Sequence, residues 1–179
     1  MGFLSKLLNR LWGSKKAPEK AMEYEVQAKS LAEIWEIADE TNLVVSLGMY
    51  IAQKCSYGEC MSALSGPERI LYITQGLEME VNNGGFSQYF FNSSGDLANE
   101  LVDAYLEIGA TKTADICKRA VAIFGQAVPA DRDERDDFIS DNEEFDEILG
   151  QCDDAFLAYE EDLNALTYAY VMQHRDSFQ

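Results

Sequence analysis

Histidine, the most common acid–base side chain at neutral pH, occurs once in this 179-residue chain, at His174. A Ser/His/Asp or Cys/His site would have to recruit that single residue near the last helical turn. There a cationic side chain is favoured by the helix dipole, so a surface cap is the simpler role. The same scarcity removes His-rich zinc and helical di-iron patterns. Four cysteines (Cys55, Cys60, Cys117, Cys152) form no CxxC pair, and no secretory signal precedes them. Reduced thiols in a cytoplasmic protein are expected. No run of 18 apolar residues exists to cross a membrane. The acidic run DRDERDD places Asp136 where a calcium loop needs glycine. No catalytic set, metal site or cofactor is expected.

Positive charge is also short, with 14 bases against 32 acids and a formal net charge of −18. Residues 1–20 hold five of those bases (Lys6, Arg10, Lys15, Lys16, Lys20) and one acid, a net +4 that leaves −22 for the remainder. Such a body repels nucleic acid and anionic membrane and attracts basic proteins. Direct nucleic-acid binding is not expected.

Hydrophobic residues make up 47% of the chain, enough for one sizeable core in one domain. Their periodicity is helical almost throughout, and the expected fold is an all-α, compact multi-helix domain over 21–179. Ahead of it, residues 1–20 read as a short amphipathic helix and linker, with Phe3, Leu4, Leu7, Leu8, Leu11 and Trp12 on one stripe. That helix suits either contact with a membrane surface through residues 3–12 or folding back onto the acidic body. Ser30 with Glu33 forms a capping-box pattern, and Thr41 or Asn42 is placed to open the next helix. Ser65-Gly66-Pro67-Glu68 opens a third. Residues 97–109 and 113–124 read as a helix pair stopped by Gly109 and Gly125.

The stretch VNNGGFSQYFFNSSGD, from Val81 to Asp96, looks like a site but has no lysine or arginine and is flanked by Glu78, Glu80 and Asp96. An anion would be repelled there. Architecture accounts for the residues better: Asn82, Asn83, Gly84 and Gly85 end a helix, and Phe86, Tyr89, Phe90 and Phe91 bury a short one. Asn83, Gln88 and Asn92 are then expected to satisfy helix ends. The other reading is a small-molecule pocket lined by those three amides.

From Asp131 to Asp162 the chain carries 15 acids and two bases, Arg132 and Arg135, a net −13 in 32 residues. Heptad spacing sets Asp146, Asp153 and Glu160 in one column and Glu147, Asp154 and Glu161 in the next, with Glu143 one turn before Glu147. An unbroken helix of this length would span about 48 Å, or about one net charge per 3.7 Å. One strand of duplex DNA carries about one per 3.4 Å. The expected partner-binding acids are those seven residues together with Asp131, Asp133, Glu134, Asp136 and Asp137.

The run EVNNGGFSQYFFNSSGDLANELVDAYLEIGATKTADICKRAVAIFG, with PADRDERDDF and DDAFLAYEEDLNALTYAYV after it, resembles a family of small acidic bacterial proteins, the DNA mimic proteins of the nineteen-kilodalton type. The likeness covers roughly residues 64–174. Its motif falls on Asn82, Asn83, Gly84, Gly85, Phe86, Gln88, Phe90, Phe91, Asn92, Gly95 and Asp96. The resemblance implies an all-helical acidic fold, a homodimer, no enzymatic activity, and occupation of the DNA-binding surface of a basic partner such as a transcription factor. The same acidity would also suit an immunity or antitoxin protein that covers the cleft of a basic nuclease.

Overall fold

The computed structural model describes residues 30–179, which form eight α-helices joined by loops and 3-10 turns, with no strand among them. The basic N-terminal helix expected from Phe3 to Trp12 lies outside the described residues. The helices are α1 (Leu31–Trp35), α2 (Glu40–Lys54), α3 (Gly66–Phe91), α4 (Leu101–Glu107), α5 (Thr111–Ala122), α6 (Arg132–Ser140), α7 (Glu143–Leu157) and α8 (Leu163–Gln173). Local sequence explains most of the ends. Ser30 and Ser65 each complete a capping box, with Glu33 and Glu68 respectively. Asp39, one turn earlier than expected, caps α2 by accepting from the Asn42 amide. Gly109 (φ +81°) and Gly125 (φ +64°) take left-handed angles just past α4 and α5, as the reading of them as stops requires.

Helix α3 is the spine, and its two halves serve two apolar clusters. Near its start, Leu71 packs with Leu43, Val44, Leu47 and Ile51 of α2, with Val171 of α8, and with Phe178. Further along, Leu77, Val81, Phe86 and Phe90 join Leu101 and Tyr105 of α4, Cys117 of α5, and Leu149, Cys152 and Phe156 of α7. The buried aromatics meet edge to face, as at Phe86 and Phe156 (6.1 Å between centroids). All four cysteines are free thiols, and three of them are buried. Burial pushes the Cys117 thiol up, which keeps it protonated and inert.

The amide-rich stretch forms a joint in the spine. Helical geometry breaks at Gly84 and Gly85 and resumes at Phe86. Gly85 adopts φ +80°, ψ −175°, a region open only to glycine, and a Cβ there would lie 2.3 Å from Asp153 Oδ2. The amides do not cap the break as expected. The Phe86 amide instead donates to Asp153 Oδ1 of α7 at 2.7 Å. Asn82 donates to the Glu78 carbonyl and to the Tyr159 hydroxyl. Gln88, Asn92 and Ser94 all donate to the buried Glu80 carboxylate, at 2.6, 2.9 and 2.7 Å. Gly85→Ala is therefore expected to cost about 2–3 kcal/mol, combining backbone strain with a lost cap, read as a lower urea midpoint at unchanged slope.

Burial raises two carboxylates where α3 meets α7 and the turn after it. Burial pushes Glu78 up, against a hydrogen bond donated by Tyr159. It does the same to Asp153, against the Phe86 amide. A folded pKa above the unfolded one means that such a group adds stability when protonated and loses that contribution as pH rises through the folded value. Glu78→Gln should therefore be more stable than wild type at neutral pH and converge with it on acidification. Urea midpoints collected from about pH 4 to 8 check this. Glu68 behaves oppositely. Burial works against its charge, but Lys54 and the amides of Ser65 and Gln179 outweigh it and hold the carboxyl low. Its contribution is present above the ordinary carboxylate range and is lost as pH falls through the lowered value.

Candidate functional site

The acidic segment, whose charge spacing was reckoned on an unbroken helix, is two helices. Asp131 caps α6 by accepting from the Glu134 amide, and α6 ends at Ser140. A short break at Asp141 and Asn142 precedes α7, which runs through Gly150 and stops at Leu157. Tyr159 follows with φ +46°, so Glu160 and Glu161 lie beyond the helix, and the heptad columns do not continue to them. The 48 Å rod of the sequence reading is thus replaced by about 13.5 Å of α6 and about 22.5 Å of α7.

Burial then divides the acids into two groups. Asp133, Glu134, Asp136 and Asp137 on α6, and Glu144, Asp146, Glu147 and Asp154 on α7, are exposed, as is the capping residue Asp131. None of them has a cationic partner among the described residues. The side chain of Glu143 is outside the described set. Asp153 and Glu161 turn inward. Asp153 caps the restart of α3 as described above. Glu161 does the same for α5, whose cap position is Ala110 and offers no side-chain acceptor. It accepts from the amides of Lys112 (3.1 Å) and Thr113 (2.9 Å) and from the Thr113 hydroxyl (2.9 Å). Burial opposes the Glu161 charge, but these donors together hold its carboxyl low. Glu160 is exposed and pairs with Lys112 at 3.1 Å. Two residues counted in the binding columns are therefore helix caps supplied from a distant part of the chain.

The two bases of the segment make their contacts away from the outward acids. Arg132 lies over the Phe91 ring, 4.1 Å from its centroid. Arg135 is fully buried. Its Nε donates to the Phe90 carbonyl (2.8 Å), and Nη1 donates to the Pro129 and Ala130 carbonyls (2.9 and 2.8 Å). Nη2 completes the set on the Asn92 carbonyl (3.1 Å) and Asp96 Oδ1 (2.7 Å). Gly95 permits this approach, because a Cβ there would lie 2.9 Å from the Arg135 Nε and from the Tyr89 carbonyl. The Ser-Gly-Asp end of the motif is a socket for that guanidinium.

Magnitudes describe what the outward face can do. On α6, four acids less Arg132 leave three net charges over about 13.5 Å, about one per 4.5 Å. On α7, four acids over about 22.5 Å give about one per 5.6 Å. Both are sparser than one DNA strand at about one per 3.4 Å, and α6 comes nearer to it. The face is a folded polyanion on two short helices, fixed to the core by Arg135 on α6 and by Leu149, Cys152 and Phe156 on α7. Among the described residues, no group of three or more His, Cys, Asp or Glu side chains could hold a metal ion, and no helix is long and apolar enough to cross a membrane. His174 caps the C-terminus of α8 and packs against Tyr170 at 4.5 Å between ring centroids.

Comparison with known proteins gives one match of consequence. A family model described as DMP19-like protein matches residues 62–174, more than half of the chain and nearly the span of the motif resemblance. No curated protein and no solved structure matches.

Proposed function

We propose that this chain, which belongs to the DMP19-like protein family, is a non-enzymatic binding protein whose outward acids on α6 and α7 occupy the DNA-binding surface of a basic protein partner, such as a transcription factor. The observation that carries this reading is the division of the acids. Those that turn inward are consumed by amides, while those on α6 and α7 that face solvent have no cationic partner among the described residues. Carboxylates on short rigid helices present charge in a fixed arrangement, which is what a phosphate-binding surface recognises. A second copy of the chain would bring a further acidic face, and a homodimer is part of the proposal.

The test is capture from a cell extract on the immobilised chain at rising ionic strength. Basic, nucleic-acid-binding protein should be retained at low salt and released in steps as salt screens the contacts. Recovery of no such protein at low salt would count against the reading. Capture of a basic nuclease in place of a regulator would assign the same face to nuclease inhibition.

A further inference from the structure

A cavity of about 370 Å³ opens between α2, α3 and the 3-10 segment Ser93–Glu100, within the size range of small-molecule sites. None of the outward acids of α6 and α7 lines it. Its walls are mostly apolar, with Met49, Met79, Tyr57 and Tyr72 presenting sulfur and aromatic surface.

Three independent features suggest that the space is kept for an occupant. Gly76 lies in the interior of α3 with ordinary helical geometry, where glycine weakens a helix, and a Cβ there would meet nothing within 4 Å. Alanine or a larger residue would fit the backbone and begin to fill the cavity. Second, Gln75 lines the cavity, and its Oε1 accepts no hydrogen bond from a described residue. Third, at the rim, Ser56 and Tyr57 take consecutive left-handed angles (φ +52° and +55°), a strained arrangement for residues with side chains, and Tyr57 is left 63% exposed.

The polar groups narrow the class of occupant. Gly48 lets the Gln75 carboxamide lie close against α2, where its Nε2 donates to the Val44 carbonyl at 3.0 Å. The Gln75 Oε1 is therefore the open acceptor on the wall, suited to a hydroxyl donor. Glu80, the acid on the wall, is buried and has both oxygens taken by three protein donors, so neither is presented to a ligand. The acidic body disfavours an anion. We propose that this cavity binds a small neutral aromatic molecule that carries one hydroxyl group.

The probe is 2-naphthol, with naphthalene as the analogue that lacks the hydroxyl, titrated against the full chain and followed by fluorescence. Saturable one-to-one binding with a dissociation constant of about 0.1–1 mM is expected. Gln75→Met should weaken 2-naphthol about tenfold and leave naphthalene unchanged. Gly76→Leu, which fills the space, should abolish binding of both; if it fails to fold, Ala52→Leu serves from the opposite wall. Absence of saturable binding to wild type, or equal binding by a folded cavity-filling variant, would overturn the proposal. So would a change of sedimentation coefficient in that variant, which would assign the cavity to contact between copies. Neutralising the acids of α6 and α7 should leave naphthol binding intact, so the two readings fail separately.

Discussion

Arg135→Met should lower stability by about 3–5 kcal/mol, the largest loss expected from any single substitution in the acidic segment. Methionine replaces the volume of the side chain but none of its donors. Removal of the guanidinium leaves the carbonyls of Phe90, Asn92, Pro129 and Ala130 without these hydrogen bonds and Asp96 without its ion pair. Asp96 is half exposed and can rehydrate, so most of the cost lies in the buried carbonyls. Lysine is not a conservative substitute, since three donors on one nitrogen cannot reach acceptors spread around a planar fork. Arg135→Lys should therefore lie well below wild type as well. Urea denaturation measures both variants. Because Arg132 is on the surface, Arg132→Met should shift the midpoint far less, by about 1 kcal/mol or below.

Neutralising Asp133, Asp136, Asp137, Asp146, Glu147 and Asp154 together to their amides should weaken partner binding by two to four orders of magnitude while leaving the fold as stable or slightly more stable. All six are exposed and have no cationic partner among the described residues, so removing them relieves repulsion within the segment. The inward acids should give the reverse pattern. Asp153→Ala and Glu161→Ala remove the caps at Phe86 and at Lys112 and Thr113, lowering stability by about 1 kcal/mol or more each. Each should leave affinity within about twofold, provided the protein is held below its transition. This crossed result separates recognition from architecture among residues that look alike in the sequence.

The course of the helices was legible because its signals are local. Capping boxes at Ser30 and Ser65, stops at Gly109 and Gly125, and apolar spacing within one helix all act over four residues or fewer. The candidate site was legible only in part, because the role of an acid depends on what the fold brings against it. Asp153 and Asp154 are adjacent, yet one meets an amide 67 positions away and the other meets solvent. A signal for this was present: the break at Gly84 and Gly85 and the start of α5 at Ala110 both lack a local acceptor, and helix starts in the core must draw one from elsewhere. Arg135 was hidden for a related reason. Within DRDERDD it reads as a partial neutraliser of the surface, while its partners are mainly backbone carbonyls, which sequence does not mark. The place of the break within the acidic run, at Asp141 and Asn142, was not marked by the apolar spacing.

The central claim is that the acids of α6 and α7 stand where DNA would stand on a basic partner. It is tested most directly by titrating the chain into a preformed complex of the captured partner with a fluorescent DNA duplex and following anisotropy. The account predicts competitive release of the duplex by wild type, weakened by added salt and lost with the sixfold neutral variant. A ternary complex in which partner, duplex and this chain remain bound together, or equal release by the neutral variant, would contradict it.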